Sequence, residues 1–376
     1  MGASAGVGAG PGPGVDPGAG AGAGAGAGVA AGVPGARVAA ELPRHGLDRA
    51  VFMAIAAARG GPEAVRALRA GQVSKRALLL LALERALPDG PGRADFEQAY
   101  AELRALRATD PPRWEEILLR PELDAWTADC LRGLTAGEAV APGVLGEFVR
   151  AGRRGEPVPL ECDGLRWTPV IDHLGPYRAS YGRPTSGPLE AAELAAWRDA
   201  LAQAWRILAT RHHRHAQAVA ACVTTLVPLR PAPGGEAVSA AARRAYGSVA
   251  ASRPDDPVLL ALALVHEFLH IQLGALLDLV PLHRPNGAAV YHAPWRPDPR
   301  PVGALLQGAY AHLGVAGFWH AELVAGASDQ DRAERESSRW RAHTAAAVGT
   351  LLDSGELTTH GRDFVSELGR AVRRLG

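Results

Sequence analysis

Cysteine is scarce in this sequence, lysine is nearly absent, and acidic and basic charges almost cancel. Only 3 cysteines occur among 376 residues, and the formal net charge at pH 7 is +1. Cys130, Cys162 and Cys222 share no CxxC or CxH spacing, which excludes the usual thiolate zinc site and a disulfide framework. A charge near zero provides no global field for nucleic acid or an anionic membrane, so we expect neither as a partner. The cysteine usage fits a reducing cytosol and predicts a cytoplasmic protein.

The N-terminal segment lacks the features of a secretory signal. Its first 36 residues are mostly Gly, Ala, Pro and Val, with no basic region and no leucine-rich core. Such a composition prevents regular structure, so we predict a disordered tail over residues 1–38, with a misassigned start site as the alternative. The rest, 39–376, is predicted to form one domain, with a helical N-terminal part (39–190) and a metal-site part (191–376). No internal repeat, phosphate-binding loop, GxSxG elbow or nucleotide fingerprint is present.

Apolar residues recur at three- and four-residue spacing through most of the chain, which predicts helices. In "PLEAAELAAWRDALAQAWRILATRHHRHA" a single stripe carries Leu194, Trp197, Leu201, Trp205 and Leu208. The "RHHRH" run (211–215) at its end is interpreted as a solvated helix terminus. The best strand candidates are "VAACVTTLVPLRP" and "AYGSVAAS". The predicted fold class is mainly α with a small β-sheet (α+β), a single helical domain around a central buried helix.

That central helix is predicted over Val258–Val280. Asp256 is suited to be its N-cap, and Pro257 suits the first helical position. The segment is apolar nearly all round, which indicates burial in the protein core. A membrane span is the competing interpretation, but polar residues fall in its middle and the flanks lack basic anchors.

The helix carries the sequence HEFLH, an HExxH motif. His266 and His270, four residues apart, lie one above the other on a helix and can aim their imidazoles at one metal ion. Glu267 points about 100° away from His266 around the helix axis, and it is close enough to reach a metal-bound water. Three interpretations follow: a zinc site, an iron site, or polar side chains satisfied within the core.

The identity of the metal depends on a third ligand, which the motif alone does not supply. The extension HExxHxxGxxH is excluded, because positions 273 and 276 are both leucine. Candidates downstream are His312, Glu322, Glu334 and Glu336. One helical turn before His312 lies Gly308, small enough to let another group approach closely.

Two arginines follow in "PWRPDPRP". The planar guanidinium groups of Arg296 and Arg300 suit bidentate binding of a carboxylate on a cosubstrate or a peptide. The alternative is an ordinary surface loop with ion pairs through Asp298.

Three ordered blocks, "LVHEFLHIQLGALLDLVPL", "APWRPDPRP" and "LLQGAYAHLGVAGFW", resemble the HExxH-motif proteins of bacterial peptide-modification gene clusters. That family is regarded as 2-oxoglutarate-dependent peptide β-hydroxylases. The resemblance is tight over about residues 255–320, looser in the helical N-terminal part and absent from the tail.

The resemblance implies an iron(II) dioxygenase that uses 2-oxoglutarate and O2. His266 and His270 would be metal ligands and His312 the third, in place of the carboxylate of the usual two-His-one-carboxylate triad. Glu267 would then orient groups at the site instead of acting as a base.

The resemblance also implies the cosubstrate contacts and the substrate. Arg296, or failing it Arg300, would bind the distal carboxylate of 2-oxoglutarate, and Gln307 would support the cosubstrate or a metal-bound water. The reaction would hydroxylate a side-chain β-carbon in a ribosomally synthesised precursor peptide, with a peptide-maturation enzyme as a further candidate partner. The segment 236–252, "EAVSAAARRAYGSVAAS", has fewer Ser and Thr than expected, so substrate choice is expected to differ.

Two other functions remain open from the residues. One is a zinc metallopeptidase with Glu267 as general base. The other is a non-catalytic peptide- or partner-binding module with a vestigial metal site.

Overall fold

The computed structural model describes residues 45–285, 289–326 and 329–376. The tail predicted over 1–38 lies outside the described residues.

Twelve α-helices occur in the described ranges, and they make the fold mainly helical, as predicted. They are α1 (Arg49–Ala56), α2 (Pro62–Ala86), α3 (Pro91–Thr109), α4 (Pro111–Leu118), α5 (Pro121–Ala136), α6 (Leu145–Arg150), α7 (Ala191–Arg211), α8 (His213–Cys222), α9 (Pro257–Leu277), α10 (Val302–Val324), α11 (Gln330–Asp353) and α12 (Thr359–Arg373). Short 3-10 helices span Pro142–Val144 and Arg178–Tyr181.

A small mixed sheet completes the predicted fold class. The strands are β1 (Glu156–Pro157), β2 (Leu160–Cys162), β3 (Leu165–Trp167), β4 (Val170–Ile171), β5 (Thr225–Pro228), β6 (Ser239–Ala241), β7 (Ser248–Ala251), β8 (Val290–Tyr291) and β9 (Arg300–Pro301). The five-stranded sheet has the order β1-β4-β5-β7-β6, parallel at its centre and antiparallel at both edges. Strands β2 and β3 pair separately, as do β8 and β9. Both predicted strand segments contribute a central strand, β5 and β7.

The sheet buries a different cluster on each face, because successive side chains of a strand point to opposite sides. Leu226 and Val249 belong to the large hydrophobic core, which includes residues from α1 through α12. Val227 and Ala250 belong to a smaller cluster with Tyr181. The sheet therefore lies inside the protein, and α9 packs beside β6 and β7.

Helix α7 buries most of its predicted stripe, but it does not continue through the histidine run. Trp197, Leu201, Trp205 and Leu208 are buried, while Leu194 near the helix start is only partly buried against the core. The helix ends at Arg211, and α8 begins two residues later at His213. The prediction of one long helix over this segment is therefore wrong at its end.

Helix α9 begins where the sequence predicts. The Asp256 carboxylate accepts a hydrogen bond from the backbone N–H of Val258 at 2.9 Å, and Pro257 occupies the first helical position. The helix ends at Leu277, three residues before the predicted end. There the carboxylate of Asp278 binds side chains from outside the helix, including the Lys75 ammonium at 2.8 Å.

Helix α9 is long and apolar enough to cross a membrane by length and composition, but it is a core helix. Within its most apolar window, 72% of the residues are buried inside the protein. Close packing explains this burial, since a Cβ built on Gly314 of α10 would lie 2.0 Å from Leu269 Cδ1 of α9.

Candidate metal centre

The two histidines of the HExxH motif converge, as the helical spacing predicts. His266 Nε2 and His270 Nε2 lie 3.1 Å apart, and the two ring centroids are 4.8 Å apart. Metal–imidazole bonds are about 2.1 Å long, so both nitrogen atoms can bind one ion at this separation. The donor set thus fits two ligands of a metal centre.

A side chain from α10 fixes the orientation of His270. Gln307 Oε1 lies 3.2 Å from His270 Nδ1. Since an amide oxygen can only accept, Nδ1 carries the proton and Nε2 keeps its lone pair for a metal. The structure therefore brings Gln307 to the histidine pair.

Burial keeps His266 uncharged. It lowers the pKa of His266 well below its usual range, and the neighbouring His270 and His312 add to this effect. His266 Nδ1 is buried and has no hydrogen-bond partner among the described residues. A neutral imidazole is the form that binds metal, so the site is set for ligation at neutral pH.

His312 lies next to the pair and contacts two indole rings. Its ring centroid is 5.4 Å from that of His266. It stacks on Trp340 at 4.3 Å with an interplanar angle of 4°, and Trp295 lies 4.4 Å away. Burial lowers the pKa of His312 to about 3. Trp295 packs closely against Gly308. A Cβ added to Gly308 would lie only 2.5 Å from Trp295 Cζ2.

A third ligand stays a prediction. Across 45–285, 289–326 and 329–376, no group of three His, Cys, Asp or Glu side chains is arranged to hold an ion. Of the carboxylates considered, Glu322 binds Arg211 and His212, while Glu336 accepts a hydrogen bond from Trp340 Nε1 at 2.9 Å. Glu334 is exposed.

The interpretation of "RHHRH" as a solvated helix terminus agrees with His213 and Arg214, which are exposed, but is wrong for His212 and His215. His212 is 5% exposed, stacks on Phe318 at 4.0 Å, and bonds through Nε2 to Glu322 at 2.8 Å. His215 bonds to a backbone carbonyl, and burial lowers its pKa to about 4. A break in the helix at His212 turns these side chains inward, which helical periodicity could not predict.

Glu267 is directed toward the sheet. It is 3% exposed, and its Oε1 accepts a hydrogen bond from the Ser239 hydroxyl of β6 at 2.6 Å. Burial raises the pKa of Glu267, while His270, Ser239, Arg183 and a backbone N–H of β6 oppose this rise. The carboxylate thus joins the motif helix to the edge strand.

Sequence reasoning missed Ser239 as a partner of the motif. It lies in the segment 236–252, which drew attention only for its shortage of Ser and Thr. A serine 28 positions before Glu267 gives no periodic signal, since the contact arises from packing of β6 against α9.

The two arginines lie in the loop before α10, and both pair with Asp298. Arg296 donates to both carboxylate oxygens at 2.8 and 2.9 Å, and Arg300 lies 3.2 Å from one of them. The hydrogen bonds from Arg296 lower the pKa of Asp298. This arrangement agrees with the alternative interpretation, an ordinary surface loop with ion pairs through Asp298. The guanidinium group of Arg296 already binds one carboxylate in a bidentate manner. Arg296 also lies close to the histidines, because it directly follows Trp295, which contacts His312.

We compared the sequence with models of protein families and with curated proteins, and neither comparison gave a match.

Proposed function

We propose that this protein is a cytoplasmic Fe(II)- and 2-oxoglutarate-dependent dioxygenase that hydroxylates a side-chain β-carbon of a ribosomally synthesised peptide. The observation that carries the proposal is the convergence of His266 Nε2 and His270 Nε2 at 3.1 Å, with Gln307 holding the second nitrogen of His270. The three sequence blocks that resemble the peptide hydroxylases support iron as the metal.

His266 and His270 would hold the iron, with His312 as the proposed third ligand. Iron bound with 2-oxoglutarate and O2 supplies the oxidising power for C–H hydroxylation, with succinate and CO2 as coproducts. Trp295 and Trp340 both pack against the ring of His312. These contacts limit the orientations that the ring can adopt.

Glu267 would position the motif helix. Its carboxylate accepts from Ser239 on the edge strand, so a proton-transfer role is not needed to explain its burial. This pairing supports the oxygenase over a hydrolase, in which the same carboxylate must act on water at the metal.

Arg296 and Arg300 remain the proposed ligands for the distal carboxylate of 2-oxoglutarate. Both guanidinium groups share Asp298, which is half exposed at 52%. A cosubstrate carboxylate would replace Asp298 at one of them, because a guanidinium fork binds either carboxylate with the same geometry.

A zinc peptidase is the second candidate, favoured by one observation. Burial raises the pKa of Glu267, as is typical of a general base. A precursor peptide is the proposed partner in either case, and a peptide-maturation enzyme is a second proposed partner of the hydroxylase.

Succinate formation tests the proposal. Protein loaded with Fe(II) without oxygen receives 2-oxoglutarate and then O2, and succinate is measured. We expect iron-dependent succinate that is lost in His266→Ala, largely kept in Glu267→Gln, and unchanged in His213→Ala, an exposed histidine control.

Two other outcomes would contradict the hydroxylase. Retention of zinc with peptide cleavage that requires Glu267 would identify a peptidase. Absence of both activities in folded, metal-loaded protein, supplied with a panel of cluster-encoded peptides, would favour a binding module.

A further inference from the structure

Trp295 borders the side of the histidine cluster that is open to solvent. His266 and His270 are both half-buried, so part of the pair remains accessible. Trp295 is half-buried as well, and its ring centroid lies 4.4 Å from that of His312. The other indole that contacts His312, Trp340, is only 3% exposed. Trp340 therefore belongs to the core, whereas Trp295 lies at the rim of the site.

The backbone of α10 supports the indole of Trp295 directly. A Cβ built on Gly308 would lie 2.5 Å from Trp295 Cζ2 and 3.4 Å from its Nε1. Gly308 is four residues before His312, which is about one helical turn. The indole thus packs on the helix backbone and on the imidazole of the next turn at once. Since glycine has no side chain, position 308 allows the ring to lie this close to His312.

The hairpin that carries Trp295 is held at several points. Strands β8 and β9 pair on either side of it. The backbone N–H of Arg296 donates to the Ala293 carbonyl at 3.1 Å, which closes a turn that contains Trp295. The Tyr291 hydroxyl donates to the Glu356 carboxylate at 2.5 Å, which joins the hairpin to the loop before α12. These bonds limit the movement of the indole, so it can act as a fixed wall.

A fixed wall at the rim of a metal site limits the size of the group that reaches the metal. Packed side chains accommodate extra methyl groups poorly, because the surroundings must then shift from their preferred positions. Trp295 also directly precedes Arg296, one of the two proposed cosubstrate ligands. The indole therefore lies between the proposed cosubstrate loop and His312, where a substrate side chain would have to pass.

We propose that Trp295 determines specificity by setting the upper size of the substrate group that reaches the metal. It admits small, unbranched groups and excludes branched ones. This inference rests on the metal centre of the proposed function and names the residue that selects the substrate side chain there. If Trp295 only anchored the hairpin, its loss would affect ligands of every size equally.

Thiol binding to the Co(II)-loaded protein tests the proposal without turnover. Ethanethiol and tert-butanethiol share a thiolate donor and differ in the bulk next to it, and the visible spectrum of Co(II) reports their binding. The preference for ethanethiol should be at least about tenfold larger in the wild type than in Trp295→Ala, since even one extra methylene in a confined pocket is worth about that factor. Trp295→Phe, with a smaller ring, should have an intermediate preference.

Trp114→Ala is the matched control. Trp114 is also half-buried and lies on α4, where it contacts Arg107. This variant loses an indole of similar exposure away from the histidines, so it should keep the wild-type preference between the two thiols.

The outcomes separate this inference from the proposed function. An equal change in affinity for both thiols in Trp295→Ala would overturn the specificity role and leave Trp295 as an anchor of the hairpin. The wild-type preference in a folded, Co(II)-loaded Trp295→Ala variant would also overturn it. Failure of the wild-type protein to bind Co(II) would overturn the metal centre, and this inference with it.

Discussion

Replacement of Gln307 by leucine should weaken metal binding without removing either proposed histidine ligand. Gln307 Oε1 accepts from His270 Nδ1 at 3.2 Å and so fixes the tautomer that presents Nε2 to the metal. Leucine has a similar size but accepts no hydrogen bond. His270 would then sample both tautomers and more ring orientations, and part of its ligand strength would be lost.

The expected loss in metal affinity can be estimated from the hydrogen bond between Gln307 and His270. It is a single hydrogen bond between neutral groups, worth about 0.5–1.5 kcal/mol, or roughly two- to tenfold in an equilibrium constant. Loss of such supporting contacts in metal sites typically costs about 10–100-fold in affinity. We therefore expect a loss near tenfold, where the two ranges meet.

Chelator competition with Co(II) or Zn(II) measures this affinity directly and does not depend on turnover. Gln217→Leu is the matched control, because Gln217 also contacts a histidine, His213, at 3.1 Å on the protein surface. Gln307→Glu keeps an acceptor and adds charge, so it should bind metal at least as tightly as the wild type. Equal affinities for wild type and a folded Gln307→Leu, with binding abolished in His266→Ala, would refute the role given to Gln307.

Three further predictions concern stability. Asp124→Asn leaves the fully buried Arg76 without its carboxylate partner and should cost about 3–5 kcal/mol in the free energy of unfolding, measured with denaturant. Gly314→Ala should cost about 1–3 kcal/mol and weaken metal binding, because the new methyl group meets Leu269 and forces α9 and α10 apart. The His215 pKa of about 4 lies below the unfolded value of 6.5, so stability should fall as pH drops from 6.5 toward 4, by up to about 3 kcal/mol. His215→Gln should reduce this dependence of the unfolding free energy on pH.

Each of these has a control in the same chain. Asp129→Asn breaks more exposed ion pairs and should cost under about 1 kcal/mol. Gly317→Ala, on the same helix with open space around its added Cβ, should be neutral or slightly stabilising. His213→Gln should leave the pH dependence unchanged. An equal loss of unfolding free energy in Gly314→Ala and Gly317→Ala would show that helix packing is not the cause. An unchanged pH dependence of stability in His215→Gln would show that His215 is not the titrating group.

The sequence alone determined the features that depend on helical repeat and on capping. Asp256 and Pro257 begin α9 because the carboxylate satisfies a free N–H and proline needs none. Spacing of four places His266 and His270 together on any helix. The buried stripe of α7 follows from the same periodicity.

Packing between distant segments decided the rest. Ser239 reaches Glu267 only because β6 lies beside α9, and Trp340 stacks on His312 only because α11 packs on α10. Such contacts join residues tens of positions apart, where no local periodicity applies, so burial and the resulting pKa values are properties of the tertiary structure.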